Sequence, residues 1–444
     1  MKRFLLFLTI IISLLTISTS AKSDDLTINI KIKSSSDGYD LTSEEGFELI
    51  TEGKTVLPIP AKSIHLFYEN GLMIKTDSGI YGPYENSMVA PKNNVTDVAK
   101  RKYNGNFYVD SINNSLINNV SLEEYIYSVV SSEMGSSFEM DALKAQAVAA
   151  RSYAISNLKK YIKHGYNLTN DIYSQVYLGV NNVNDKIKKA VDETKGLIAS
   201  FNGEVINATY SSSNGGVIAS SEEVWGNKYP YLVVKSDPYS TNTPNVDWKV
   251  EVSRDNLDEL LAQKTNKRNF TGLKLQKNVL GRVKSVIVSY NDGDVELSAN
   301  KFRLIFGSSK FKSTLFDVNK KVENTNVKPM PVKEKTIVAA SAPGPNEGGV
   351  FDIVKPTKEE LKKISAIYKT NSGEQISSDK VVETSIDSSD KYVFYGKGFG
   401  HSVGLSQYGA NEMAKQGFKY LDILAFYYPG IEVNLYIYIC NKIM

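Results

Sequence analysis

The hydrophobic period of this chain changes at Ser121, and no fold built from one kind of secondary structure satisfies both sides of that change. Before it, Leu26, Ile28, Ile30 and Ile32 alternate with Thr27, Asn29, Lys31 and Lys33, the period of two expected of a half-buried strand. Short apolar runs follow at Val56-Leu57, Ile64 to Phe67, Leu72 to Ile74 and Phe107 to Val109, divided by turn signals at Asn70-Gly71, Ser78-Gly79 and Asn104-Gly105. His65 falls inside one of these runs and reads as a packed strand histidine. After Ser121, the residues Leu122, Tyr125, Ile126, Val129 and Val130 fall on one helix face. Ser121 and Glu124 form an S-x-x-E capping box there, with Val120 and Tyr125 placed as a hydrophobic staple. A second box, Ser136 and Glu139, predicts a helix from about residue 136 to Ile162, rich in alanine at 142, 145, 147, 149, 150 and 154. Side chains that small let neighbouring backbones approach, so this helix is expected to be central and buried. The fold class is therefore α+β, with strand-rich flanking regions around a small helical core.

Later segments are less decisive. Residues 245–318 alternate again, with Val283, Val286, Ile287 and Val288 ahead of an Asn291-Asp292-Gly293 turn, and predict another strand-rich subdomain. Within it, Lys264, Lys267, Arg268, Lys274, Lys277, Arg282 and Lys284 run without an acid between them, which reads as a solvated basic face or a contact for anionic wall polymer or lipid headgroups. From about Lys320 to Asp390 the chain turns polar and proline-bearing, with a short helix expected near Lys358 to Tyr368; it reads as an insertion or linker. At the N-terminus, Met1-Lys2-Arg3, the apolar stretch Phe4 to Ile17 and the small residues Ser18 to Ala21 follow the plan of an export signal. That stretch nearly reaches the ~20 apolar residues of a spanning helix. Residues 1–21 thus read either as a cleaved signal or as a membrane anchor, and both place the body outside a membrane.

Composition narrows the chemistry. With one cysteine, Cys440, no intramolecular disulfide can form, and His65, His164 and His401 lack HxxxH or HxxE ligand spacing. The 52 Lys+Arg against 49 Asp+Glu give no imbalance that would favour a nucleic acid. Carboxylates, hydroxyls and amides are left to do the work. Between the two predicted helices, Ser131-Ser132-Glu133-Met134-Gly135 holds a carboxylate in a tight turn at the end of an apolar helix. Partial desolvation there would raise its pKa toward the range of a general acid, and Lys144 and Arg151 share a face from which to orient a polar substrate. The plainer reading is a surface glutamate beside two snorkelling cations. The glycines at 396, 398, 400, 404 and 409 lack a Walker lysine and a βαβ setting, so they read as places where the backbone passes close to a sugar or another segment. His401 with Ser402 or Ser406 lacks the G-x-S-x-G elbow of a hydrolase triad.

Several blocks, in order, resemble the family of stage II sporulation protein D and the amidase enhancer LytB. They are Ser121 to Met134, ending Ser-Ser-Glu-Met, Ala142 to Ala154, Ser174-Gln-Val-Tyr-Leu-Gly179, Tyr210-Ser-Ser-Ser-Asn-Gly-Gly216 with Glu222 and Trp225-Gly226, Tyr229-Pro-Tyr-Leu232, and Gly396 to Ala410. The resemblance implies a core over residues 116–320 completed by a C-terminal motif at 391–436, after a strand-rich part at 25–115 and with 321–390 inserted. It also implies a glycan-binding groove and a lytic transglycosylase that cleaves peptide-free peptidoglycan strands. Glu133 matches the family's catalytic glutamate; substrate contacts are implied for Lys144, Gln146, Arg151, Gln175, Tyr177, Asn214, His401, Ser406, Gln407 and Tyr408. Some relatives bind zinc through cysteines near Gln175; Ser174 stands there in this chain, so no metal or other cofactor is expected, and His164 reads as a solvated residue at a helix end. Implied partners are glycan strands, a cell-wall amidase and a membrane, and the implied setting is the wall-facing or intermembrane space of a sporulating cell. The alternative within the resemblance is a glycan-binding activator of an amidase that does not cut.

Overall fold

The computed structural model describes residues 26–51, 55–244, 246–322, 381–386 and 388–436. The export segment, Cys440 and the expected helix at 358–368 lie outside the described residues. The fold is mixed α+β, as the change of period requires.

Alternation in the N-terminal part gives two sheets. The first runs in the order Leu168–Thr169, Thr27–Ser34, Ser115–Ser121, Asn106–Val109, Ser87–Pro91, Phe47–Thr51, Thr55–Ile59, and only its first pair is parallel. The second runs Arg101–Asn104, Val95–Val98, Tyr39–Thr42, Ser63–Tyr68, Leu72–Thr76, Gly79–Tyr84 and is antiparallel. Ile28 and Ile30 are fully buried while Thr27 faces solvent, which is the pleat at work. His65 is pinned across the pair it forms with Asp40, its Nδ1 2.7 Å from the Asp40 carboxylate and its Nε2 2.7 Å from the Asp37 carbonyl.

Helix α1, Leu122–Glu133, starts where its cap predicts: Ser121 Oγ accepts the Glu124 N–H. The reciprocal half of the box is not made, because the Glu124 carboxylate takes an amide proton from Asn94 at 2.7 Å instead. Helix α2, Met140–Ser156, is shorter at both ends than the sequence suggests. Glu139 itself stands at its N-cap, its N–H donated to Asn411 Oδ1 at 2.7 Å, so a tertiary contact overrides the Ser136 signal. Beyond Ser156 the chain leaves the helix and makes a 3₁₀ turn at Ile162–His164. All six alanines of α2 are fully buried. Helix α3, Asp185–Asp192, packs against α1 and α2, and α4, Ser221–Trp225, is a short capped helix further along.

A second hydrophobic core gathers residues 248–318 and 386–394. It contains α5, Arg254–Thr265, and α6, Ala299–Ile305, two helices the strand-rich expectation missed. The Val283–Tyr290 and Gly293–Ser298 hairpin turns at Asn291-Asp292 as read. Val382–Ile386, the end of the polar stretch, adds a strand beside Gly272–Lys277. The basic run does not form one face: Arg282 is buried with its guanidinium on the Asn214 and Val217 carbonyls, Lys277 is paired with Asp317 and Lys267 with Asp292. Spacing in the chain counted cations but not the direction each side chain takes.

Strand Lys391–Lys397 lies between Asp247–Ser253 and Leu315–Val318, then hands the chain back to the first core. Helices α7, Gln407–Lys415, and α8, Tyr420–Tyr427, pack on α2, and Glu432–Leu435 closes beside Leu197–Phe201.

Candidate active site

Glu133 is the last residue of α1, and three elements far from it in sequence meet at its carboxylate. The Val176 N–H donates to Oε1 at 2.8 Å, the Tyr210 hydroxyl approaches Oε1 at 3.4 Å, and Gln407 Nε2 approaches Oε2 at 3.4 Å. Burial pushes the carboxyl above its ordinary value, and the bonds from Val176, Gln407 and Tyr210 pull it part of the way back. All three donors are uncharged. The group is therefore a half-buried acid whose ionised form is still solvated by fixed dipoles, a combination suited to giving up and retaking one proton.

Each donor has its own support. Gln175 is buried; its Oε1 accepts from Tyr125 OH at 3.1 Å, and its Nε2 donates to Tyr210 OH at 2.9 Å and to the Ala150 carbonyl at 3.3 Å. It aims Tyr210 and has no free polar atom for substrate. Gln407 opens α7, whose N-cap is Ser406, its Oγ accepting the Gly409 N–H at 3.2 Å. Ser406 Oγ lies 2.8 Å from Ser240 Oγ, and Ser240 in turn donates to Asp237 Oδ2 at 2.7 Å. Asn214 and Tyr427 donate to the same oxygen at 2.7 and 2.9 Å. Burial raises the Asp237 carboxyl, and these donors oppose that. A side chain at Gly409 would collide with this network, its Cβ 2.2 Å from Tyr427 OH. Gly398 has a φ of +88°, and a Cβ there would sit 2.7 Å from the Ser213 carbonyl. At both glycines the close approach is to another chain segment.

The remaining expected contacts divide. Tyr408 packs its ring 5.1 Å from Phe138 at the mouth of the α1–α2 turn. His401 is half-buried, its Nδ1 accepting the Val403 N–H at 3.0 Å and its ring 5.1 Å from that of Trp225. Five others place their atoms on neighbouring parts of the protein. Arg151 is fully buried, its guanidinium bonded twice to Glu123 and once to the Leu197 carbonyl, so it clamps α1 to α2. Lys144 is paired with Glu193. Tyr177 is buried with its hydroxyl on Asn118 Oδ1 at 2.7 Å. Asn214 serves Asp237, and Gln146 is fully buried on the α2 face it shares with Ala150 and Tyr153. Tyr210 and the Val176 N–H were missed. Tyr210 opens the Tyr-Ser-Ser-Ser-Asn-Gly-Gly block, which was the available signal; a backbone donor leaves none.

What the fold and this site define is a one-carboxylate centre in a mixed α+β core, closed by a segment returning from near the C-terminus. Residues 111–201 match the Stage II sporulation protein family, SpoIID. The chain is 33% identical over 311 residues to the amidase enhancer of Bacillus subtilis strain 168, covering 69% of this chain and 40% of that protein. It is 26% identical over 346 residues to the stage II sporulation protein D of the same organism, covering 74% and 79%. An uncharacterised protein of Brachyspira hyodysenteriae is 27% identical over 371 residues, covering 82% and 80%. The chain thus carries a SpoIID domain and is a homologue of the amidase-enhancer and stage II sporulation D proteins, as its motifs indicated. It spans about two fifths of the length of the amidase enhancer.

Proposed function

We propose that the protein is an exported lytic transglycosylase that cleaves the MurNAc–GlcNAc linkage of peptide-free peptidoglycan strands and leaves 1,6-anhydro-MurNAc ends, in the wall remodelling of sporulation. The observation that carries the reading is Glu133, a half-buried carboxyl raised by burial and held by uncharged donors alone. Glycosidases that use water as the nucleophile work with two carboxylates. Where the sugar's own C6 hydroxyl is the nucleophile, one suffices. Protonated Glu133 gives its proton to the glycosidic oxygen as that bond breaks. The resulting carboxylate, solvated by Val176, Tyr210 and Gln407, then takes the proton of the C6 hydroxyl as the anhydro ring closes, and the site returns to its starting state.

A second reading, a glycan-binding activator of a cell-wall amidase that does not cut, is favoured by the homologue named amidase enhancer. An amidase that strips stem peptides would in either case supply the substrate, and the N-terminal segment would direct export, as a cleaved signal or as a membrane anchor. One experiment separates the readings. The wild-type chain and Glu133→Gln are incubated with peptide-free glycan strands, and 1,6-anhydro ends are counted by mass spectrometry. The expected result is release by the wild type and a loss of about 10²–10⁴-fold in the variant, the scale of one general acid–base group. No anhydro ends from the wild type, with amidase stimulation intact, would overturn the enzyme.

A further inference from the structure

The chain has two tryptophans, and they are used in opposite ways. Trp248 is 7% exposed in the second core, whereas Trp225 is 41% exposed at the end of α4. A lone exposed apolar side chain needs no explanation, but the scaffold beneath Trp225 is unusually complete for a helix of five residues. Both halves of a capping box are made at its start by Ser220 and Glu223, and Gly226 closes it in the left-handed conformation with φ +82°. Glu223 also accepts from Asn278 Nδ2 at 3.1 Å, which ties α4 to the second core. The indole is backed by His401, ring centroids 5.1 Å apart and planes at 58°. Ser402, buried next to His401, holds a φ of +65°, a conformation that costs free energy for any residue but glycine. Burial, with Arg303 and Arg282 nearby, pushes the His401 imidazole down to about 4, so the ring is neutral at physiological pH. The imidazole lies beside the Tyr210 backbone, and the Tyr210 hydroxyl reaches Glu133. A rigid, half-exposed, uncharged aromatic face therefore stands one tyrosine away from the carboxylate.

We propose that Trp225, backed by His401, is a saccharide-stacking subsite that binds the face of an uncharged pyranose ring a short way along the strand from the bond at Glu133. Sugar rings present C–H bonds on their faces and hydroxyls at their edges. An indole covers the first and leaves the second in water, with little side-chain entropy to lose when it is already held. Removing the stem peptide leaves a lactyl carboxylate on each MurNAc, so the uncharged ring that suits a neutral platform is GlcNAc. The subsite rests on the glycan reading given above, but not on cleavage.

The test uses the full chain with Glu133→Gln, titrated with peptide-free GlcNAc–MurNAc oligosaccharides in a calorimeter, which gives Kd for every variant. Because Trp248 is buried, iodide quenching of tryptophan fluorescence reports on Trp225. Binding is expected to protect that fluorescence; adding Trp225→Ala weakens Kd about tenfold, close to one aromatic contact, and Trp225→Phe recovers most of it, with equal thermal melts showing that each variant folds. Unchanged Kd in Trp225→Ala together with unprotected fluorescence overturns the subsite while leaving glycan binding in place. No binding by any variant overturns the glycan reading and the subsite with it. Trp225-dependent binding by a wild-type chain that never releases anhydro ends supports the subsite and removes only the enzyme.

Discussion

Around α2 the interior is lined by alanines and threaded by hydrogen-bonded polar groups, whereas the second core is ring upon ring. Phe311 lies within 6 Å of Trp248, Phe302, Phe306, Phe316 and Phe394, and Phe302 stacks on Phe316 with planes 11° apart. Alanine brings backbones close enough for polar atoms from α1, residues 175–176, Tyr210 and α7 to converge on one carboxylate. Aromatic packing does something else: it fills volume and makes a stiff frame. The two are joined by strand Lys391–Lys397, which carries Tyr392 and Phe394 into the aromatic core and leads the chain on toward His401 and Gln407. One core holds the frame steady and the other presents the chemistry.

The largest expected effect tests that division. Phe311→Ala removes a fully buried ring and should cost about 3–5 kcal/mol of stability, read from urea denaturation. On the proposed transglycosylase reading, protein that remains folded should still release the same 1,6-anhydro product. A loss below about 1 kcal/mol, or a folded variant with altered products, would break the contrast between frame and site.

Tyr210→Phe should show the opposite balance. Gln175 Nε2 keeps the Ala150 carbonyl as partner, so stability should fall by no more than about 1 kcal/mol. At Glu133 the hydroxyl lowers the carboxyl's pKa, and its removal lets burial raise it further. The alkaline limb of the cleavage pH profile therefore moves to higher pH. The plateau rate drops by roughly 2–10-fold, since the carboxylate formed as the proton leaves has lost one donor worth about 0.5–1.5 kcal/mol. A limb that stays in place or moves to lower pH would show that Tyr210 is not bonded to Glu133 in solution.

How far this was legible in the sequence follows from the range of each interaction. The start of α1 could be read because Ser121, Glu124 and the apolar stripe are local. Glu133 could be singled out by its place in the turn, and more firmly through the resemblance. Its partners could not be read from physics alone, since Val176 lies 43 residues away and Gln407 lies 274. Arg151 and Lys144 show the limit from the other side: periodicity placed them on one helix face, but the acids opposite, Glu123 and Glu193, decided what they do. In α5 a signal was present and passed over, with Ser253 as cap and Leu257, Leu260 and Leu261 at helical spacing. Strand alternation on either side of it outweighed that short stripe.

A further expected effect concerns His401, where the two cores meet. Its imidazole is held at about 4 in the folded chain by burial, then by Arg303 and Arg282, against about 6.5 for a free histidine. Between those values the unfolded chain binds a proton that the folded chain does not, so this residue's share of stability is lost as pH falls through that window. Glu133 and Asp237 slope the other way: their carboxyls are raised in the folded state, so their contribution is present at low pH and lost as pH rises. A stability profile of the wild type alone mixes the two. His401→Gln keeps both carboxylates, so the difference between wild type and variant isolates the imidazole. That difference should shift against the wild type from pH 7 to pH 4.5, on top of a constant offset for the lost contact with Trp225, in urea midpoints measured at each pH. Parallel curves would mean that His401 is open to solvent, and that the uncharged face behind Trp225 is not maintained by the frame.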